Sequence, residues 1–148
     1  MAALHKYPHL LPADIPVWER FLSKHNSVFD AIDYDVRVGA GRPREDLPTE
    51  QLRRMATDLS KRRIDAVCHL SGLILIIEIT HSLGFTALGQ LQSYPILYRR
   101  TYPGTYILRS MIVAGEIQTD IHTVLHGERI PHWTPQEGIT FSPHPKLK

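Results

Sequence analysis

The strongest constraint on this chain is the run Leu73 to Thr80, LILIIEIT, which follows the dipeptide Ser71-Gly72. Both alternating sets of side chains are apolar, so the run reads as a strand buried on both faces, central in its sheet. The apolar stretch Leu73 to Ile77 is far too short to span a membrane. A central strand needs a neighbour on each edge and a covering layer on each face, and the rest of the chain must supply them. Ser71-Gly72 is a turn signal, and Arg63 to Leu70 before it reads as a partner strand.

With Ser71 and Gly72 as the loop of a hairpin, Leu70 faces Leu73 and Cys68 faces Leu75. Continued outward, the register sets Asp65 opposite Glu78 and Arg63 opposite Thr80. Side chains opposite one another on one face have Cβ atoms about 5 Å apart. Two carboxylates at that distance repel, and Glu78 interrupts an apolar strand where an unpaired charge is costly. A divalent cation, a basic side chain or a raised pKa must offset this. Two carboxylates and water suit Mg²⁺, which prefers oxygen ligands and keeps several waters. A metal so held activates water and stabilises charge developing on a phosphodiester. The alternative pairs Asp65 with Arg62 or Arg63 at the strand end and Glu78 with another arginine. Two carboxylates in register beside a basic segment favour the metal site.

The remaining elements fit around the hairpin. Asp14-Ile15-Pro16 places a capping residue and a first-turn proline before VWERFLSKH, with Val17, Trp18, Phe21 and Leu22 on one stripe. Asp33 to Gly39 alternates as a strand, and AGRPRED is a loop. Residues 48–60 have a first-turn proline and helical spacing. Ser82 is placed to cap a long helix, LGFTALGQLQSYPILYRR, which Pro95 should kink or divide. Tyr106 to Ala114 is a further strand, Thr119 caps a short helix ended by Gly127, and Ile139 to Phe141 adds a last short strand. The order is helix, strand, strand, strand, helix, strand, helix, which predicts a mixed sheet flanked by helices.

The chain has 148 residues, room for one domain, with a core over about residues 14–126 and extended tails at 1–13 and 142–148. Tails such as MAALHKYPHLL and SPHPKLK have no reason to fold alone, so their ordering would point to protein partners, in a large assembly or a homo-oligomer. The N-terminal segment has no long apolar stretch and no cleavage pattern of a signal peptide. The single cysteine, Cys68, excludes an internal disulfide, fits a reducing, cytoplasmic setting and reads as a buried small hydrophobe. The net charge of +2 is too mild to demonstrate a nucleic-acid partner. Its distribution is more informative, because Arg42, Arg44, Arg53, Arg54, Lys61, Arg62 and Arg63 fall in one stretch. Such a cluster either follows a phosphate backbone or forms a solvated, salt-bridged face.

Asp65, followed at hairpin spacing by Glu78-Ile79-Thr80, resembles the D…(D/E)xK signature of the PD-(D/E)XK nuclease superfamily. Gln90-Leu91-Gln92-Ser93-Tyr94 resembles the QxxxY motif of its RecB-like branch, and GFTALGQLQSYPILYRR looks like small phage-borne members. The resemblance covers about residues 14–115. It implies an α/β fold with a restriction-endonuclease-like αβββαβ core. It implies that Asp65, Glu78 and the carbonyl of Ile79 hold Mg²⁺ or Mn²⁺. Gln90 and Tyr94, on one helix face, would touch DNA or order the metal's water, with Arg62, Arg63 and Arg42 along the DNA. Glu19 sits where some members carry an extra acid. Thr80 departs from the pattern, for the family has a lysine there that positions the attacking water. Arg63, opposite it, is placed to supply the charge, whereas adjacent His81 should point to the other face.

Two functions follow as expectations. One is a metal-dependent deoxyribonuclease. The other, favoured by Thr80, is a degenerate nuclease fold serving as a structural or adaptor component of a phage particle, in the host cytoplasm or the virion. Weaker patterns add little. His122 and His126 lie four apart with His132 close behind, a spacing that can bind zinc. No further ligand has motif spacing, and solvent-facing histidines on a short helix are the preferred reading. GAGRP at 39–43 lacks the rest of a phosphate-loop motif.

Overall fold

The computed structural model describes residues 6–148. The N-terminal tail and the segment read as lacking a signal peptide include residues 1–5, which lie outside the described residues. The elements run α1 (Ile15–His25), a short 3₁₀ turn, β1 (Ala31–Val38), α2 (Glu50–Leu59), β2 (Arg62–Leu70), β3 (Leu73–Leu83), α3 (Phe85–Thr101), β4 (Ile107–Ile117), α4 (Thr119–Gly127), β5 (His132–Thr134) and β6 (Gly138–Thr140). One mixed sheet in the order β1-β2-β3-β4-β5-β6 holds them together. The pairs β1/β2, β2/β3 and β5/β6 are antiparallel, while β3/β4 and β4/β5 are parallel. This is a mixed α/β fold, a six-stranded mixed sheet flanked by helices, with the expected αβββαβ order and α2 inserted between β1 and β2.

The apolar run is central, as its pattern requires. Leu73, Leu75, Ile77 and Ile79 pack into a cluster with Trp18 and Phe21 of α1, and with Met111 and Val113 of β4. Ile74 and Ile76 face the other way, against Tyr94 and Tyr98 of α3. A third cluster joins Leu88 and Leu91 of α3 to Ile121 and Leu125 of α4. Ser71-Gly72 makes the turn, with Gly72 at φ +73°, and the expected pairs Leu70/Leu73 and Cys68/Leu75 form. Cys68 is fully buried.

Several local expectations are corrected. Asp14 stands at the N-cap of α1 as expected, but its side chain does not bond the first turn; its Oδ1 accepts from the His81 backbone N–H at 2.7 Å and ties α1 to β3. Ser82 does not cap α3, because parallel pairing with β4 carries β3 through Ser82/Glu116 and Leu83/Ile117, leaving Gly84 at the cap. Pro95 neither ends nor divides α3, which runs on to Thr101. Thr119 is the first residue of α4, and Gln118 is its cap. The strand β5 has no counterpart in the sequence reading; it is three residues long, too short for a periodicity to show.

The tails also differ from expectation. Tyr7 and Leu10 at one end and Leu147 at the other are buried in the α1 cluster. Ser142 Oγ donates to the carbonyl of His144 at 2.7 Å. Among the described residues, the tails are therefore ordered by the chain's own core, and their order does not itself call for a partner. No helix among the described residues is long and apolar enough to cross a membrane.

Gly115 of β4 marks a close approach. A Cβ there would stand 2.6 Å from the His81 carbonyl oxygen and 3.1 Å from Val17 Cγ2. Backbone cannot yield as a flexible side chain can, so Gly115→Ala is expected to cost about 1–3 kcal/mol in urea unfolding. An unchanged midpoint would show that β3 and β4 separate freely at this point.

Candidate functional site

Glu78 follows from the alternation of β3. Leu73 through Ile79 at odd positions enter the α1 cluster, so Glu78 belongs to the α3 set after Ile74 and Ile76. It is 5% exposed, and its Oε1 is buried without a hydrogen-bond partner.

Asp65 arrives differently from the simple hairpin picture. The β2/β3 ladder keeps the expected register through Ala66/Ile77 and stops there, so Asp65 and Glu78 are not a ladder pair. The β1/β2 ladder skips the step between Tyr34/Ala66 and Val36/Ile64. At that step both strands change face. Ile32, Tyr34, Ala66 and Cys68 pack on the α1 side, whereas Val36, Val38 and Ile64 pack on the α3 side. Asp35, opposite Asp65 in this register, has φ +54°, a left-handed conformation uncommon for a residue other than glycine. At this switch the Asp65 side chain turns toward β3, where Oδ2 accepts the Ile79 backbone N–H at 2.9 Å. A carboxylate thus takes a donor that the ladder no longer serves.

The electrostatics follow from this burial. Desolvation raises the Asp65 pKa, partly opposed by the Ile79 N–H. Desolvation likewise pushes Glu78 well above the usual carboxylate range, and the neighbouring Asp65 adds to it. A site that strips water from two like charges favours holding either a proton or a cation between them.

The pair opens on a cleft of about 440 Å³. Thr80, Gln90 and Arg63 also line it, so the hairpin residues and the first residue of the QxxxY-like segment share one site. Thr80 Oγ1 donates to the Ser82 carbonyl at 3.0 Å. Arg63 Nε lies 3.3 Å from Asp35 Oδ1, so its charge is already matched. Neither Arg62 nor Arg63 forms an ion pair with Asp65 among the described residues. Tyr94 is only 5% exposed and packs with Val38, Ile64 and Ile76, beside Gln90. Burial raises its pKa, with Glu78 contributing next. Arg62 and Arg42 border a different depression, with Gly41 and Ser60. Glu19 stands beside Tyr7, not on the cleft. His81 is exposed and lies outside the cleft.

The cleft includes two residues that the sequence reading left out. His9 Nε2 donates to the Asp65 carbonyl at 3.0 Å, while its Nδ1 is buried without a partner. Asp14 is the second. Neither carries a local signal: His9 lies in a non-periodic segment held in place by Tyr7 and Leu10 on either side of it.

The metal expected from the resemblance can be tested against these residues. An orphaned carboxylate oxygen, a second carboxylate fixed by a backbone donor and an open cleft fit a hard divalent cation with oxygen ligands. Comparison with protein-family models finds no match, and neither does comparison with curated proteins. Among solved structures, the chain is similar to one of an EndoMS–dsDNA2 complex, at 14% identity and a TM-score of 0.45. That alignment covers 84% of this chain and 45% of the other, so the chain spans less than half of that neighbour's length.

Proposed function

We propose that the protein is a nuclease of the PD-(D/E)XK type, in which Asp65 and Glu78 hold Mg²⁺ or Mn²⁺ for hydrolysis of DNA phosphodiesters. The observation that carries this reading is Glu78 Oε1, a carboxylate oxygen buried without a partner beside a second carboxylate at the wall of an open cleft. When bound, the metal supplies an activated water and a positive charge for the developing phosphorane. The chain's own residues set the stage. The Ile79 N–H orients Asp65, and its carbonyl is the expected third ligand. Gln90 reaches the cleft from α3 and is placed to order water or a phosphate oxygen, and buried Tyr94 backs it from one turn away. His9 lies on the cleft wall, where its ring holds the Asp65 backbone carbonyl.

One observation favours the second reading, a degenerate nuclease fold used as a phage structural or adaptor protein. The Thr80 hydroxyl is spent on Ser82 and Arg63 is matched by Asp35, leaving no lysine-like cation beside the carboxylates among the described residues. Incubation of purified protein with DNA and Mg²⁺ or Mn²⁺ separates the two. The nuclease reading expects metal-dependent cleavage that falls about a thousand-fold in Asp65→Ala. Absence of both cleavage and metal binding in the wild type sinks it. Cleavage that appears only in Thr80→Lys establishes the degenerate site.

A further inference from the structure

Away from the carboxylate cleft, the structure brings together four potential ligands from three separated segments. His122 and His126 lie one turn apart on α4, His132 opens β5, and Glu137 occupies the turn before β6. One ligand atom from each lies within 4.8 Å of all the others. The sequence showed the first three residues but not Glu137, and it could not show that β5 and β6 fold back over α4.

We propose that His122, His126, His132 and Glu137 form a zinc site that clips the β5–β6 hairpin to α4. His132 carries the argument furthest. It is 1% exposed, and its Nδ1–H donates to the Ile130 carbonyl at 2.7 Å. That bond fixes the tautomer, so Nε2 bears a lone pair, and Nε2 is buried without any partner. A ring oriented by a backbone carbonyl, with its other nitrogen free, is the usual preparation of a metal-ligating histidine. Burial and the neighbouring histidines also favour its neutral, ligating form.

The remaining geometry needs only side-chain adjustment. A tetrahedral zinc with ligand distances of about 2.0–2.1 Å sets its donor atoms about 3.3 Å apart. His122 Nε2 and Glu137 Oε1 already stand 3.2 Å apart. The backbone N–H of Glu137 donates to Thr134 Oγ1 at 3.1 Å, which fixes the turn that carries it. His126 is exposed and His122 half-buried, so both can close the last ångström by rotation. Three imidazoles and one carboxylate suit a borderline transition metal and suit Mg²⁺ or Ca²⁺ poorly. Four protein ligands leave no open position, which makes the site structural. The hairpin has a use for it, since the ladder between β5 and β4 is two pairs long, Ile112/His132 and Val113/Trp133.

The test uses tag-free full-length protein, stripped with chelator, reloaded with Zn²⁺ alone and dialysed. One zinc per chain is expected by elemental analysis, with a visible tetrahedral spectrum on Co²⁺ substitution. At zinc well above the Kd, the Tm should rise by about 5 °C. Because His126 is exposed, His126→Ala should fold normally yet weaken zinc binding by more than about 10-fold, the loss that outer-shell partners alone already cause; Glu137→Gln is the second variant. Asp65→Asn should keep its zinc, which separates this site from the carboxylate cleft. Failure to retain stoichiometric zinc overturns the proposal. So does binding indifferent to both His126→Ala and Glu137→Gln, or lost in Asp65→Asn.

Discussion

Glu78→Gln is expected to stabilise the metal-free protein at neutral and alkaline pH while removing metal-dependent cleavage. Both effects come from one buried oxygen. Burial and Asp65 raise the Glu78 pKa in the folded state. A group raised on folding contributes its full stability below its unfolded pKa, about 4.3 for Glu, and loses it as pH climbs through the folded value. Within that window each pH unit costs up to about 1.4 kcal/mol. Asp65 is shifted in the same direction and adds to the slope. Metal-free wild type should therefore lose about 2 kcal/mol between pH 6 and pH 8. The amide of the Glu78→Gln variant has no proton to retain, so its curve should flatten. Saturating Mn²⁺ should restore the wild type but not the variant. Urea midpoints across that range, with and without metal, provide the check. A wild-type curve as flat as the variant's would mean that Glu78 is already paired. The same substitution removes a metal ligand, and the proposed activity should fall about a thousand-fold.

Trp18→Ala should produce the largest loss of stability. Trp18 is 0% exposed and stacks on Phe21, with ring centroids 5.3 Å apart. Its Nε1–H donates to the Tyr34 hydroxyl at 3.0 Å. That hydroxyl is itself desolvated, and burial lifts its pKa to about 12 although the Trp18 hydrogen bond opposes the shift. Removing the indole opens a cavity worth about 3–5 kcal/mol and strips Tyr34 of a donor, worth about 1 kcal/mol more. For a chain of this size the Tm should fall by roughly 10 °C. Trp18→Phe keeps much of the volume and should lose less than half of that. Equal losses in the two variants would assign the effect to the hydrogen bond and not to packing.

The effect reaches the site through the chain's own connections. Tyr34 stands beside the step at which β1 and β2 change face, and that step turns Asp65 toward β3. α1 also carries Asp14 at its start, on the cleft wall. Loss of Trp18 should thus weaken metal binding at Asp65 and Glu78 as well as stability, a coupling that titration of the folded variant with Mn²⁺ reads directly.

How much of this was legible in advance depended on distance along the chain. The central position of β3, the Ser71-Gly72 turn, the pairing of Leu70 with Leu73 and the burial of Cys68 all follow from neighbouring residues. Alternation and turn chemistry act over a few positions and leave a trace there. Glu78 owes its side of the sheet to the same alternation, whereas the approach of Gln90 to the carboxylates was an expectation of the family resemblance and not of local pattern.

What the sequence by itself determined is therefore the mixed α/β class, the hairpin and the carboxylates on it. The tertiary structure alone decided how those carboxylates meet. The face switch at Asp35 and Asp65 breaks the alternation on which the register argument relied, and it exists because two strands must serve cores on opposite sides of the sheet. The same holds for His9, drawn to Asp65 by a tail that anchors through Tyr7 and Leu10, and for Glu137, brought to His122 when β6 folds back on β5. Each of these contacts joins segments whose only bond is through space. Burial of distant apolar side chains pays for them, and no local pattern in the chain records where that burial occurs.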